Sequence, residues 1–433
     1  MAASTFVEWA KTAASIDTSL VQIVESATEG YGLVAASEIE AEQTVFTIPL
    51  AEVLRVDLAN AGDVHAQLLA MLEPTHALAV AAWLASVEEP TASHIAPWLN
   101  MWPKDPVGGW GFTDDEWAEL RKWCVEADVL HNAQEAAARR VYDERIVPHF
   151  EAHRAGLPPL TWERFVYFHS MVLSRAADVK ASQSMTRGGL AIIPLLDLLN
   201  HRVTPSAYLS FEPDACDGLG GFVVKAYAAL SAGDPLFINY GDKENAQLLV
   251  SYGFALARNP SDTATIKLAV DSDHPLNGDS PFAAMLPHGV RPMFESAARD
   301  HRLMGAVCWQ WDDSMYEERP VNVDDQLVLR PDVAETAVML AALAAVSSPE
   351  GLLGAIGQCS SLATTPPHVF DALAAACAET LAALPEPLPA DAAKPAAVAL
   401  AARRELLSAV VQARGRPYLL RQHPPDEEEP ALS

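Results

Sequence analysis

Apolar and polar positions follow different rhythms along this chain, and each rhythm predicts a different kind of element. Val21–Leu50 is strand-like. It reads as two strands joined by the polar turn Glu40-Ala41-Glu42-Gln43, the second being the β-type run Val45-Phe46-Thr47-Ile48-Pro49. From His65 to Gly156 apolar residues recur three and four positions apart. This spacing predicts helices over Ala66–Leu72, Ala77–Ser86, Glu116–Ala127 and Ala133–His149, with Pro97, Pro103, Pro106 and Gly108-Gly109 breaking the middle. Trp162–Ser174 is one more amphipathic helix, with Arg175 at its end, and the loop Ala181–Gly189 is expected to be mobile.

Strand patterning returns between Ile192 and Phe254. Ala207–Phe211 and Gly221–Tyr227 read as strands joined by turn residues at Asp217–Gly221. Further on, Asp242 reads as a helix N-cap, Leu248, Leu249 and Tyr252 share one helical face, and Gly253 reads as the stop. Beyond Phe254, Asp262–Val270 is a last strand-like piece. Alanine-rich helices then follow at Val333–Val346, Gly351–Ile356, His368–Ala383 and Pro395–Arg414, with Pro331, Pro366-Pro367 and Pro395 at or near their starts. Pro385–Pro389 reads as a rigid connector and Asp426–Glu429 as a solvated tail. The elements together predict an α+β fold.

Composition narrows the class. At 433 residues the chain exceeds one ordinary core, so two domains are expected. Half of it is hydrophobic and 20% charged, a globular balance. The longest apolar run, Ala337–Val346, falls far short of the roughly 20 residues of a membrane helix, so no membrane partner is expected. The net charge of −28 repels phosphate backbones and argues against nucleic acid. A basic protein or peptide would be attracted more easily, although the same acidity also serves solubility. The cysteines Cys124, Cys216, Cys308, Cys359 and Cys377 are scattered, with no C-x-C or C-x-x-C unit, so neither a disulfide framework nor a metal site is expected. A reducing, cytoplasmic setting follows, with nucleus and plastid left open; no apolar or Arg-rich leader precedes Phe6.

Two stretches carry candidate chemistry. Ile193-Pro194-Leu195-Leu196-Asp197-Leu198-Leu199-Asn200-His201 is an apolar run that stops on polar residues, and Phe237-Ile238-Asn239-Tyr240-Gly241 is the second. Taken alone, the first is most simply a buried strand capped by a turn, and Tyr240 a core aromatic with a surface hydroxyl. Gly30-x-Gly32-x-x-Ala35, with Glu52 downstream, also satisfies a loose dinucleotide-binding fingerprint. That fingerprint needs a long helix directly after the glycines, where a β-type run stands instead. The glycines are better suited to letting the backbone approach a ligand closely.

Taken together, and in order, these segments resemble the SET-domain methyltransferases, in the branch containing Rubisco large-subunit methyltransferase and actin histidine methyltransferase. Glu29–Ala35 is similar to the opening glycine motif and Ser174-Arg175-Ala176 to a Ser-Arg-Ala motif. Pro97-Trp98-Leu99 with Trp102-Pro103 is similar to part of the helical insertion. The resemblance implies a SET domain over 1–256 with the insertion at about 60–190, then an all-α substrate-binding domain over 257–433. It implies S-adenosylmethionine as cofactor, a non-histone protein as substrate and a monomeric enzyme. Tyr240 would be the catalytic residue, orienting the incoming amine. Glu29, Gly30, Tyr31, Arg175, Asp197, Asn200, His201 and Phe254 would bind cofactor, with Arg175 pairing to its carboxylate, Asp197 acting as an orienter and Phe254 packing on adenine. Tyr252, with Tyr240, would line the substrate channel.

A lysine ammonium must lose its proton before it can accept a methyl group, and burial beside a sulfonium lowers its pKa from about 10.4. A neutral imidazole already has its lone pair. Ala177 stands where lysine-directed relatives often carry a bulky aromatic, and Leu196 does not decide between the two substrates. Lysine is expected over histidine on family breadth, and a catalytically silent scaffold that binds a protein partner is the reading from another class.

Overall fold

The computed structural model describes residues 2–26, 30–55, 72, 77–86, 95–152, 160–179, 189–257, 259, 261–269, 302–311, 327–329, 367–384 and 395–412. Glu29, most of the helix expected at Ala66–Leu72, the loop 181–188, the helices expected at Val333–Val346 and Gly351–Ile356, the connector Pro385–Pro389 and the acidic tail lie outside the described residues.

The described helices are α1 (Ala2–Thr12), α2 (Ala77–Ser86), α3 (Ala96–Leu99), α4 (Asp114–Trp123), α5 (Val125–Val141), α6 (Val147–Ala152), α7 (Trp162–Arg175), α8 (Asn245–Tyr252), α9 (Pro367–Ala383) and α10 (Pro395–Gln412). The first strands are β1 (Val21–Ser26), β2 (Gly30–Ala35), β3 (Thr44–Pro49), β4 (Leu54–Arg55), β5 (Ala176–Val179) and β6 (Gly189–Ile192). They are followed by β7 (Asn200–His201), β8 (Ala207–Glu212), β9 (Gly221–Ala226), β10 (Pro235–Ile238), β11 (Thr263–Ala269), β12 (Arg302–Trp311) and β13 (Leu327–Leu329).

The chain divides into two compact units, the first comprising Met1–Arg121, Val125–Gly241 and Ala246–Phe254. Its described strands form three small sheets, in the orders β1-β2-β10-β7, β3-β9-β8 and β4-β6-β5. Val21–Leu50 thus holds three strands rather than two. The first apolar run folds back on itself, with Ser26 opposite Gly30 and Val21 opposite Ala35. The core gathers Phe6, Phe46, Ile48, Trp98, Phe165, Ile193, Leu195 and Phe222, all close to fully buried. Thr161 caps α7 by accepting from the Arg164 N–H at 3.2 Å. The helix then runs straight to Arg175, where β5 begins. The helices expected at Glu116–Ala127 and Ala133–His149 are instead cut at Cys124 and at a π-turn over Tyr142–Ile146.

The second unit comprises Lys122–Cys124, Asp242–Asn245 and Ala255–Ser433. Helices α9 and α10 follow the sequence pattern, each starting on its proline. They pack on each other and both contact β11, with Leu373, Cys377, Leu400, Leu406 and Leu407 buried. The helical reading of 257–433 needs one addition, the antiparallel sheet β11-β12-β13. Val307, Cys308, Trp309 and Trp311 give β12 strand-type residues, a signal the alanine-rich surroundings hid.

Asp242 is also not the cap of the next helix. Helix α8 starts at Asn245, and the carboxylate serving its first N–H is that of Asp262, with Asn245 N donating to Asp262 Oδ1 at 2.9 Å. Asn245 Nδ2 donates to Asp262 Oδ2 at 2.8 Å and to the Leu256 carbonyl at 2.9 Å.

Candidate active site

Strands β7 and β10 run parallel, with Phe237 opposite Asn200 and Ile238 opposite His201. That pairing brings the two candidate stretches together. Two residues past β10, the Tyr240 N–H donates to His201 Nδ1 at 3.0 Å, and the Tyr240 hydroxyl donates to the Leu199 carbonyl at 2.8 Å. A nitrogen that accepts leaves the imidazole proton on Nε2, so His201 is held as a neutral orienting group. The His201 and Tyr240 ring centroids are 5.1 Å apart, and Tyr252 stacks on Tyr240 at 4.9 Å and 28°. Phe254 closes the cluster, 5.9 Å from His201 and 6.0 Å from Tyr252.

Tyr252 and Phe254 are delivered by the end of α8. Gly253, at φ 82°, stops the helix by donating its N–H to the Leu248 and Leu249 carbonyls at 3.0 and 3.1 Å. The glycine motif reaches the same place through its own sheet, because Leu33 and Val34 of β2 pair with Leu236 and Pro235 of β10. Gly30 takes φ 70°, with open space where a side chain would stand, and a Cβ on Gly32 would lie 3.1 Å from Asn200 Nδ2. Tyr31 packs half-buried against the core.

Arg175 and Asp197 are coupled electrostatically to each other and to Tyr240. Asp197 follows Leu195, whose φ of 66° and ψ of −39° are strained for a leucine and whose side chain is fully buried. Asp197 Oδ2 accepts from Trp98 Nε1 at 2.9 Å and from Trp102 Nε1 at 3.0 Å. The Arg175 guanidinium lies 5.7 Å from the centroid of the Trp102 ring and donates from Nη1 to Ser174 Oγ at 2.6 Å. Asp197 Oδ1 and Arg175 Nε are shielded from solvent and have no hydrogen-bond partner among the described residues.

Burial dominates the electrostatics. It pushes the Tyr240 hydroxyl well above its ordinary value, with Tyr252 adding to the rise and Arg175 opposing it. Burial raises Tyr252 to about 12, so both phenols keep their protons at neutral pH. It raises the Asp197 carboxyl, opposed by Arg175 and the two indoles, and lowers Arg175, opposed by Asp197, Tyr240 and Tyr167.

Of the residues singled out from sequence, Gly30, Tyr31, Asn200, His201 and Tyr240 sit on or beside one sheet, and Tyr252 and Phe254 pack on that cluster. Arg175 and Asp197 act on Tyr240 electrostatically. Ala177 lies on β5 opposite Ala191 of β6. Sequence reasoning missed Trp98 and Trp102 as partners of Asp197 and the Leu199 carbonyl as acceptor for Tyr240, and only the side-chain chemistry of the tryptophans gave any signal. Among the described residues, no group of three or more His, Cys, Asp or Glu side chains could hold a metal ion. No described helix is long and apolar enough to cross a membrane.

Comparison with known proteins agrees with this layout. Residues 30–241 match the SET domain family. The chain is 26% identical over 271 residues to the actin-histidine N-methyltransferase of Xenopus tropicalis, covering 61% of this chain and 45% of that protein. It is 27% identical over 260 residues to that of Danio rerio, covering 58% of this chain and 41% of that protein. The match thus spans less than half the length of these relatives. In fold, the SET domain of LSMT bound to lysine and AdoHcy superposes with a TM-score of 0.62 at 18% identity, over 96% of this chain and 92% of that one. Rubisco LSMT bound to AdoMet gives 0.62 at 17% identity, over 97% and 92%. The order of strands, the meeting of the two polar stretches and these likenesses converge: residues 30–241 are a SET domain, in a chain similar in fold to Rubisco LSMT and distantly similar in sequence to the actin-histidine N-methyltransferases.

Proposed function

We propose that this protein is an S-adenosylmethionine-dependent protein N-methyltransferase that modifies a lysine of a non-histone protein. The observation that carries the reading is the parallel pairing of β7 and β10, which sets Tyr240 against the Asn200-His201 pair. The cofactor is tested against three features of the site. Arg175 Nε is a shielded donor without a partner, suited to a carboxylate. The Gly32–Asn200 approach leaves a bare backbone edge beside an amide. Phe254 offers an aromatic face to a purine. The residues fit the group.

S-adenosylmethionine supplies an electrophilic methyl group on a sulfonium. The chain's own part is alignment and exclusion of water. Tyr240 commits its proton to the Leu199 carbonyl, so its oxygen lone pairs are left to accept from an incoming amine N–H. With the phenol held neutral, Tyr240 orients rather than deprotonates. Asp197 is engaged by two indoles and is likewise no base for the substrate. The lysine proton leaves to water before the nitrogen is aligned, as burial in the channel disfavours the ammonium. Tyr240 and Tyr252, stacked, form an aromatic wall suited to a cationic or newly neutral amine on an alkyl stem.

Histidine is the second reading, favoured by one observation. The relatives matched in sequence are named actin-histidine N-methyltransferases. Residues 257–433 would bind the protein substrate, in a reducing, cytoplasmic setting. Incubating the purified chain with labelled S-adenosylmethionine and a lysate of its own organism, then locating the label by mass spectrometry, tests the whole reading. Label on lysine supports it, label on histidine selects the second reading, and no label with no cofactor binding leaves the silent scaffold.

A further inference from the structure

Trp98 and Trp102 send two indole N–H groups from the helical insertion to one oxygen of Asp197, at 2.9 and 3.0 Å. Trp98 is fully buried, and its ring stacks on Trp9 at 6.3 Å and crosses that of Trp102 almost perpendicularly at 6.0 Å. The geometry is locked by packing. Trp102 also lies under the Arg175 guanidinium, so the same residue touches both charges. The second oxygen of Asp197 and Nε of Arg175 are left unpartnered and shielded.

An indole N–H can only donate, so a pair of them on one oxygen favours the carboxylate over the carboxylic acid. The two indoles are the only side chains described that donate to the Asp197 carboxylate, its own backbone N–H favouring the charge more weakly, and burial works against that charge. We propose that Trp98 and Trp102 are positioning residues, holding Asp197 ionised and in one orientation so that it fixes the Arg175 guanidinium for the cofactor carboxylate. The inference rests on the reading of Arg175 as the carboxylate contact. It makes the helical insertion, and not only the β core, part of the binding device.

Other titratable groups face this cluster. Tyr240 and Tyr252 stay protonated across the neutral range, Tyr167 is likewise raised by burial, Asp105 acts on Tyr167, and His201 lies against Tyr240. The test must separate His201 from Asp197.

Trp102→Phe keeps most of the apolar bulk and removes one donor. S-adenosylmethionine binding, measured by calorimetry from pH 5.5 to 8.5, should be about tenfold weaker than wild type at the acid end and within about twofold at the alkaline end. Trp98→Phe should behave alike, and adding Asp197→Asn to Trp102→Phe should abolish the extra pH dependence. A variant affinity that tracks wild type at every pH, or is weaker by the same factor throughout, overturns the proposal, because lost packing alone has no pH signature. So does pH dependence that survives Asp197→Asn, which would belong to His201. If wild type binds no S-adenosylmethionine, the proposed function fails. The ligand-free protein still decides the local claim: in Trp102→Phe the Trp98 indole N–H resonance should titrate at higher pH than in wild type, and an unchanged midpoint refutes it.

Discussion

Gly32 and Asn200 approach so closely that a Cβ on the glycine would meet the asparagine amide nitrogen at 3.1 Å. Gly32→Ala therefore asks the amide to yield by a few tenths of an ångström, within a site and not within a rigid core. S-adenosylmethionine affinity should fall about three- to tenfold, while stability changes by less than about 1 kcal/mol. Calorimetry paired with thermal denaturation checks both halves; equal affinity in the two proteins would remove Asn200 from the cofactor site.

Tyr240→Phe deletes a hydroxyl whose proton is given to the Leu199 carbonyl and which the proposed function makes the orienting group. Methyl transfer should drop by about two to three orders of magnitude, the scale of a lost oriented polar group. Stability should fall by about 1 kcal/mol for the missing hydrogen bond. Cofactor binding should be kept. Single-turnover rates with labelled cofactor read the first effect, and a variant as fast as wild type would strip Tyr240 of its role.

Two glycines with similar backbone angles should answer differently to alanine. A Cβ at Gly108, φ 63°, would lie 2.5 Å from the Val250 carbonyl oxygen and 2.9 Å from that of Leu249. Backbone cannot move as a side-chain tip can, so Gly108→Ala should cost about 2–4 kcal/mol and disturb the seat of α8. Gly233, φ 92°, faces open space. Its alanine variant should cost only the local strain, about 1–2 kcal/mol. Denaturant midpoints distinguish the two, and equal losses would contradict the backbone-contact account.

Asp262 gives a pH dependence of unusual sign. Burial raises its carboxyl to about 6 from an ordinary 3.8. The folded state then binds the proton more tightly than the unfolded chain between those values. The group's contribution is most favourable below about pH 4 and is lost as pH rises through 6, amounting to about 3 kcal/mol. Replacing it by Asn should flatten that part of the stability profile relative to wild type. Parallel profiles for the two proteins would show that the carboxylate is not desolvated as described.

Much of this was legible in the sequence, and the limits are physical. Helix α7 and the strands β8 and β9 follow from local period and turn residues, which act within a few positions. That Asn200-His201 and Tyr240 belong to one site came from the resemblance, since no local rule pairs β7 with β10. The indole donors to Asp197 lie about a hundred residues upstream, and the Asp262 carboxylate that caps α8 lies beyond the helix it serves. Such partners are chosen by tertiary packing, which a periodicity cannot express. Strand β12 was missed for a milder reason: its β-type residues sit in a region whose composition is dominated by helix formers.

No tight turn can link β7 to β10, because they point the same way; the chain must first complete the β8–β9 hairpin and only then return. Closure over that distance belongs to the later events of folding. Fragments ending ahead of residue 235 would retain most strands yet hold no reaction centre, and half-denatured molecules would be inert instead of sluggish. Under the proposed function, methyl transfer would thereby report whether that crossing has been made.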